Sequence, residues 1–261
     1  DKIHFKPGDL VQVPFGLRKE YGVVWKNSFS EPKKIKIKNI NKKIDNYSID
    51  KKLLDFIEWF SIYNMVPMGL VLKMVMGSND NFFNKKDSNI KIEKTSFKSF
   101  ILNKEQVSAL KFLENIDNKF DVSVLQGTTG SGKTIVYFER IKKILNRGKQ
   151  ALVLLPEIFL TNEFKSRFQE YFGFTPAIWH SKITPKQKRI IWKGILNNEI
   201  KLVIGARSSL LLPFKKLGII IVDEEHDASY KQDEGVIYNA RDMAISRASF
   251  EKIPIHLVTS V

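Results

Sequence analysis

The eight residues from Gly127 to Thr134 read Gly-Thr-Thr-Gly-Ser-Gly-Lys-Thr and fill every fixed position of the phosphate-binding loop. Such a loop surrounds a triphosphate with backbone N–H donors, and its glycines let the backbone approach because they carry no Cβ atom. Lys133 is expected to reach the β- and γ-phosphates, and the Thr134 hydroxyl is expected to bind Mg²⁺. The predicted ATP-binding residues of the loop are Gly127, Thr128, Thr129, Gly130, Ser131, Gly132, Lys133 and Thr134.

The patterns on either side of the loop predict the elements that hold it. Residues 120–126 are β-rich and apolar enough for a buried strand, and residues 134–145 carry apolar side chains at helical spacing. The loop would then lie between a strand and a helix, with the positive end of the helix dipole beneath the phosphates. A chance glycine-rich turn is the alternative, and this context disfavours it.

A second group of candidate residues is the acidic run Asp223-Glu224-Glu225-His226-Asp227, which follows the apolar residues 218–222. Asp223 is therefore expected at the carboxyl end of another buried strand, where parallel sheets bind ligands. There Asp223 would hold Mg²⁺, and Glu224 would orient and deprotonate the attacking water. Acidic clusters are usually solvated surface, but this one accompanies a phosphate loop. Lys133, Asp223 and Glu224 are thus the predicted catalytic residues.

The amide of Gln106, upstream of the loop, has two interpretations. It would read the edge of adenine if it belongs to the ATP site. It would instead be the partner of Asn103 if the two residues form a capping box at the start of a helix. The sequence leaves both open. Thr184 and Gln187 repeat the capping pattern with proline between them, and there only capping is expected.

Length and composition limit the function classes. A chain of 261 residues with 43% hydrophobic residues suits about two packed domains. It has no signal-peptide pattern, no cysteine and no apolar run near the ~18 residues of a membrane span, so a cytoplasmic protein without a membrane partner is expected. The net charge of +15 predicts attraction to nucleic acid, although a composition rich in lysine, isoleucine and asparagine raises the charge without a functional cause.

The patterning divides the chain into a small β-rich domain at 1–76, a linker at 77–99 and an α/β lobe at 100–261. The linker is rich in Asn, Ser, Asp and Lys and has few large apolar residues. In the lobe, apolar strands alternate with helical segments, which predicts a parallel sheet. The predicted lobe strands after the phosphate loop are 151–155, 177–179, 202–204, 219–222 and 255–258.

Shorter elements are expected in the first domain. Strand patterns occur at 9–13 and 21–25, and a helical pattern runs from Lys51 to about Asn64, with further apolar residues as far as Met76. Residues 33–40 alternate lysine with isoleucine, which predicts a strand with one lysine face. That face would either meet phosphates or be a solvated edge protected from aggregation, and the sequence leaves both open.

Several motifs resemble the bacterial replication-restart helicases of the primosomal protein N′ family, which belong to helicase superfamily 2. The resemblance covers nearly the whole chain. The motifs in the lobe are the loop 127–134, Leu154-Leu155-Pro156-Glu157-Ile158-Phe159-Leu160-Thr161, His180-Ser181, Gly205-Ala206-Arg207-Ser208-Ser209, and the acidic run with Ser229-Tyr230-Lys231-Gln232. Upstream, the resemblance is carried by residues 7–16 and by Gly22-Val23-Val24.

The resemblance implies a RecA-like lobe preceded by a domain that binds the 3′ end of a nascent DNA strand. It implies ATP-dependent 3′-to-5′ translocation on forked and single-stranded DNA, with primosome proteins and single-stranded-DNA-binding protein as partners. His226 would couple the ATP state to DNA. The residues that the resemblance implies in DNA contact are Gly16, Lys36, Lys38, Arg207, Ser208, Tyr230, Lys231, Tyr238 and Arg241. Base stacking on Tyr230 and Tyr238 suits a sequence-independent grip, and packing of both rings on the domain is the alternative.

The chain also departs from the family. It stops at 257–261, where the family continues into a second motor lobe with an arginine finger and a cysteine-rich zinc insertion, so zinc is expected for the full family protein without ligands in this chain. Residues 77–99 are shorter than the family's winged-helix domain, and Val236-Ile237 replace positions where relatives often carry arginine. The expectation is a fragment that binds nucleotide and DNA with little unwinding. An inactive ATP- and DNA-binding remnant and another superfamily 2 DNA translocase are the alternatives.

Overall fold

The computed structural model describes residues 4–25, 37–76, 83, 97–98, 100–116 and 119–260. Within them, no helix combines the length and the apolar character needed to span a membrane. The first part contains β1 (Asp9–Phe15), β2 (Arg18–Val23), β3 (Lys42–Ser48), α1 (Lys51–Tyr63) and α2 (Met68–Met76). The lobe contains α3 (Lys104–Glu114), β4 (Asp121–Gln126), α4 (Lys133–Asn146), β5 (Gln150–Leu154), α5 (Asn162–Phe172), β6 (Ala177–Trp179), α6 (Pro185–Leu196), β7 (Leu202–Gly205), β8 (Leu217–Val222), β9 (Lys231–Gln232), β10 (Tyr238–Asn239), α7 (Ala240–Glu251) and β11 (Pro254–Thr259).

The first three strands form an antiparallel sheet in the order β2-β1-β3. The strand expected at 9–13 is confirmed as β1. The strand expected at 21–25 is confirmed only for residues 21–23, because β2 begins at Arg18 and ends at Val23. The prediction of a strand at 33–40 is wrong for residues 37–40, which belong to no strand. Residues 33–36 lie outside the described part. The third strand is β3 instead. Its position is determined by pairing with β1 and not by the local alternation of lysine and isoleucine.

All strands of the large sheet are parallel, in the order β4-β11-β8-β5-β7-β6. Each of the six strands expected in the lobe is present within two residues of its predicted bounds. Their buried positions explain this agreement, since β5, β7, β8 and β11 are buried at every residue and are therefore mostly apolar, with Gln150, His256 and Thr259 as buried polar exceptions. The expected α/β lobe with a parallel sheet, preceded by a β-rich segment, is confirmed.

Helices α1 and α2 join the first sheet to the lobe. Helix α1 begins after Asp50, whose carboxylate accepts the N–H of Lys52 at 2.8 Å, and it buries one apolar face. That face packs on α7, where the Phe56 and Phe250 ring centroids are 5.9 Å apart. Trp192 of α6 donates its indole N–H to the Val75 carbonyl at 2.7 Å. One hydrophobic core thus extends from the first 76 residues into the lobe.

A buried arginine connects three of these elements. Arg247 of α7 is 0% exposed and donates to the carbonyl oxygens of Leu210 at 2.6 Å and Leu212 at 3.2 Å. It also pairs with Glu251 at 3.2 Å, and the same carboxylate lies 3.8 Å from Lys52 of α1. Burial lowers the pKa of Arg247 while Glu251 raises it. The arginine therefore holds the turn at 207–211 against the helix that contacts the first domain.

Of the expected linker at 77–99, the structure describes Phe83, Phe97 and Lys98. The Phe83 ring lies 4.8 Å from the ring of Tyr21 and 5.6 Å from that of Trp192, centroid to centroid. Phe83 thus packs between the first sheet and α6, and Phe97 packs on α5, whereas Lys98 is exposed.

We predict that Phe56→Ala lowers the free energy of unfolding by about 3–5 kcal/mol, because its ring is 0% exposed in the shared core. Ile62→Ala, on the 72% exposed side of the same helix, is the matched control and should change stability by less than about 0.5 kcal/mol. Urea unfolding followed by tryptophan fluorescence measures both. Equal stability of the two variants would contradict the shared core.

Candidate nucleotide site and nucleic-acid interface

The phosphate loop lies between the end of β4 and the start of α4, as expected. Gly130 and Gly132 have φ values of +82° and +83°, a left-handed conformation that favours glycine. A Cβ atom on Gly132 would lie 2.2 Å from Nε2 of Gln106, and one on Gly127 would lie 2.8 Å from Oγ of Ser131. The loop therefore needs glycine at these positions for its own conformation and for its neighbours.

Lys133 begins α4 and folds across the loop. Its Nζ donates to the carbonyl oxygens of Gly127 at 2.7 Å and Thr128 at 2.9 Å. A cation in this position lies where the backbone N–H groups of the loop converge with the positive end of α4. The arrangement places a positive charge at the phosphate loop, and the phosphate contacts of Lys133 stay a prediction.

Asp223 follows β8 and is buried beside α4. Its Oδ2 accepts the hydroxyl of Tyr137 at 2.8 Å, and its Oδ1 accepts the N–H of Glu224 at 3.0 Å. Burial raises the pKa of the Asp223 carboxyl, while the Tyr137 hydrogen bond and the charge of Lys133 lower it. The side chain of Thr134 lowers the pKa of the same Tyr137 hydroxyl, so both expected Mg²⁺ ligands influence one phenol.

Tyr137 was not expected from the sequence, although a signal was present. It lies one helical turn after Thr134 on the face of α4 that packs on the sheet, and burial raises the pKa of its hydroxyl well above the ordinary value. A buried phenol must find a hydrogen-bond partner, and the carboxylate of Asp223 supplies it. Tyr137 therefore orients the carboxylate that would hold Mg²⁺.

Glu224 adopts a left-handed backbone with φ of +49°, which is uncommon for a residue other than glycine. Its carboxylate accepts the hydroxyl of Ser260 at 3.1 and 3.2 Å and lies 3.8 Å from Nε2 of His226. Nδ1 of His226 is 3.1 Å from Oγ1 of Thr259. The strained backbone turns the Glu224 side chain back toward the end of β11, and Ser260 holds it there.

A cleft of about 660 Å³ opens from the phosphate loop. Lys133, Thr134, Asp223 and Glu224 line one end, and this volume is in the range of small-molecule sites. The other end is aromatic, with Phe100 stacked on Tyr171 at 5.2 Å between ring centroids. At the loop end, the lining residues supply one cation, backbone N–H groups, a hydroxyl and two carboxylates, a set that fits a nucleoside triphosphate with Mg²⁺.

Gln106 satisfies the capping interpretation and also contacts the phosphate loop. Its Oε1 accepts the N–H of Asn103 at 3.0 Å, and the Asn103 side chain accepts the N–H of Gln106 at 2.8 Å, so the capping box is confirmed. Its Nε2 donates to the Ser131 carbonyl at 3.2 Å. The amide therefore connects the start of α3 to the phosphate loop. The capping box at Thr184 and Gln187 is also confirmed.

The basic residues expected at DNA are brought to the same edge of the sheet as the acidic run. Arg207 donates to the Lys231 carbonyl, and the Lys231 ammonium pairs with Asp233 at 3.0 Å. Arg241 pairs with Glu225 at 3.2 Å. Ser208 is exposed and accepts the indole N–H of Trp179 at 3.1 Å.

In the first domain, Gly16 lies in the β1–β2 turn with φ of +59°, and Lys38 is exposed outside any strand. Lys36 lies outside the described residues.

The structure corrects the expected roles of Tyr230 and Tyr238. Tyr230 is 1% exposed, and its hydroxyl lies 2.6 Å from the Asp223 carbonyl oxygen and 3.0 Å from that of Leu154. Tyr238 is 3% exposed, with its ring centroid 5.2 Å from that of Phe60. Because both rings are buried, neither presents a face to a base. The packing alternative is correct, and both residues lie deeper than a domain surface.

We predict that Gly132→Ala lowers the affinity for Mg·ATP by about tenfold or more, because the added Cβ meets Gln106 in addition to straining the backbone. Gly130→Ala is the matched control: its φ is also positive, but the structure has nothing within 4 Å of its added Cβ, so only the strain applies. Isothermal titration calorimetry with both variants measures the difference. Restored affinity in Gly132→Ala combined with Gln106→Ala would identify the clash, and equal losses in the two single variants would exclude it.

The site and the first domain each match a known family. Residues 103–258 match the DEAD/DEAH box helicase model, and residues 1–77 match the 3′DNA-binding domain (3′BD) model. The chain is 44% identical over 257 residues to the replication restart protein PriA of Rickettsia felis, covering 97% of this chain and 38% of the relative. It is 45% identical over 145 residues to that of Bacillus subtilis, covering 55% and 18%. The chain spans little more than a third of the length of the Rickettsia relative that it matches. It belongs to the DEAD/DEAH box helicase family.

Proposed function

We propose that the chain is the 3′-end-binding domain and the first motor lobe of a replication-restart DNA helicase that translocates 3′ to 5′ with ATP. The observation that carries the proposal is a complete phosphate loop beside a buried aspartate and the glutamate that follows it, in a chain whose first 77 residues match a 3′DNA-binding domain. The proposed units are 1–76, a linker at 77–99, and a RecA-like lobe at 100–261.

The proposed nucleotide chemistry divides the site residues by role. Lys133 and the loop N–H groups bind the β- and γ-phosphates, while Thr134 and Asp223 hold Mg²⁺. When bound, Mg²⁺ neutralises charge on the phosphate oxygens. Glu224 orients the attacking water and accepts its proton, since its carboxylate is free of any basic side chain nearer than His226 among the described residues.

Coupling to DNA is proposed for His226. Its imidazole contacts both Glu224 and Thr259, so a change at the catalytic carboxylate reaches the end of β11 through one side chain. Gly16, Lys38, Arg207, Ser208, Lys231 and Arg241 remain the proposed DNA contacts in the described part, with Lys36 outside it. Arginine and lysine would bind phosphates without reading sequence, as translocation requires.

The proposed partners and setting follow from the names of the relatives and from the matched domains. Forked and single-stranded DNA with a 3′ nascent end is the proposed substrate, and primosome proteins and single-stranded-DNA-binding protein are the proposed partners. The proposed compartment is the cytoplasm.

We predict that Lys133→Ala lowers the affinity for Mg·ATP at least about tenfold, because a charge-assisted contact to phosphate contributes about 1.5–3 kcal/mol. Lys165→Ala, on α5, is the charge-matched control and should bind like the wild type. Titration of labelled ATP is done with and without a fork that carries a 3′ nascent end. Fork affinity without ATP should be the same in all three proteins, since Lys133 lies in the nucleotide site.

Glu224→Gln adds a second arm to this experiment. It should keep ATP binding, because the carboxylate is assigned to water and not to the phosphates. Equal ATP affinity in Lys133→Ala and the wild type would overturn the proposed nucleotide site and favour the inactive remnant.

A further inference from the structure

The edge of the large sheet opposite the nucleotide site is lined with lysines. Three strands that are neighbours in the sheet, β8, β5 and β7, are each preceded directly by a lysine. We define Lys216, Lys149 and Lys201, in that spatial order, as the lysine row. The pairing of Gln150 with Leu217 and of Ala151 with Leu202 sets their backbones side by side. Since neighbouring strands are about 4.8 Å apart, the row's backbones span about 10 Å.

The row extends along the same edge. The next strand, β11, is preceded by Lys252, and β4 by Lys119, which lies 3.9 Å from Asp121. Arg147 and Lys215 are exposed beside the row. Five adjacent strands therefore have a lysine near their start, one residue before β8, β5 and β7 and two residues before β11 and β4, over about 19 Å.

A buried glutamine fixes the backbone beneath the row. Gln150 is 0% exposed, and its Nε2 donates to the carbonyl oxygens of Ile195 at 2.9 Å and Ile200 at 2.7 Å. Its Oε1 accepts the N–H of Lys216 at 2.8 Å, and its own N–H donates to the Lys216 carbonyl at 2.8 Å. The backbones of Lys216 and of the segment before Lys201 are thus held by one side chain.

The side chains of the row are also positioned. The stem of Lys149 lies across Gly218, where an added Cβ would be 2.8 Å from its Cδ. Nζ of Lys201 lies 3.4 Å from the Gly148 carbonyl oxygen, next to Lys149. Burial and the charge of Lys216 both lower the pKa of Lys201, which shows two cations held close together.

Helix dipoles explain the positions of only some of these lysines. Lysines near the C-terminal ends of α4 and α7 would be stabilised by those dipoles, which accounts for Lys149 and Lys252. Lys201 and Lys216 follow loops. Within the described part of the chain, neither forms an ion pair with a carboxylate, and Glu199, the nearest acid in sequence, bonds instead to Asn197. Lys201 and Lys216 therefore repel each other, and a bound polyanion would relieve that repulsion.

We propose that the lysine row binds the phosphate backbone of duplex DNA, at the edge of the large sheet opposite the nucleotide cleft. One strand of the duplex has a phosphate every 3.4 Å or so along the axis, so 19 Å of lysines meets about five of them. Contact through lysine ammonium groups binds any sequence. On a fork, the row would hold a duplex arm while the opposite edge of the sheet faces the nucleotide.

The test uses the whole chain without ATP, and a duplex closed at both ends by hairpin loops, so that neither the nucleotide site nor a 3′ end contributes. The row variant combines Lys149→Gln, Lys201→Gln and Lys216→Gln. The control combines Lys104→Gln, Lys111→Gln and Lys165→Gln, which removes the same charge from α3 and α5. Fluorescence anisotropy is measured over a range of salt concentrations.

The row variant should bind about tenfold more weakly than the control variant, and its slope of log affinity against log salt should be smaller by about two to three. The double variant Lys215→Gln with Lys216→Gln, both exposed, should show a smaller loss of the same kind and guards against misfolding of the triple variant. Equal affinities and slopes in the row and control variants would overturn the proposal. The proposal would also be overturned if the row variant lost binding to the polyanion polyglutamate while its binding to the duplex was unchanged.

Discussion

The candidate site depends on the register of three parallel strands. β11 pairs with β4 from Pro254 and Asp121 to Thr259 and Gln126, and it pairs with β8 at Leu257 and Val222. This register ends the three strands at one edge, so the phosphate loop, Ser260 and Asp223 meet there without any long connection. A slip of one residue in the pairing would turn the side chains of a strand to the opposite faces of the sheet and would separate Ser260 from Glu224.

Helix α4 supplies three side chains to the edge where these strands end. Its first turn supplies Lys133 and Thr134, and its second supplies Tyr137, whose hydroxyl joins the Asp223 carboxylate. The helix can do this because it packs on β5, β8 and β11 through an apolar face. Burial disfavours the charged form of the Asp223 carboxyl. The hydroxyl of Tyr137 and the charge of Lys133, both on α4, favour it.

Much of this could be predicted from the sequence, for physical reasons. A fully buried parallel strand must be apolar throughout, so β5, β7 and β8 are visible as short runs between polar segments. The phosphate loop is visible because its conformation admits few residue types. By contrast, β3 depends on its pairing with β1, which no local pattern of residues 33–48 reveals.

The tyrosines were harder to predict. Tyr230 and Tyr238 lie in a polar stretch, so their rings resemble exposed binding groups until the fold shows that the stretch closes over the sheet. Gln106 shows a different difficulty, because its two interpretations depend on the same amide and the structure uses the amide for the cap and for the loop. Contacts over long sequence separations, such as Tyr137 with Asp223, are decided by topology and not by spacing.

The hydroxyl of Tyr230 ends against the backbone of Asp223, while the next residue, Lys231, lies at the surface where DNA contact is proposed. The same hydroxyl also contacts the Leu154 carbonyl oxygen at the end of β5. One buried side chain therefore connects the ends of two neighbouring strands to the segment that carries a proposed DNA contact.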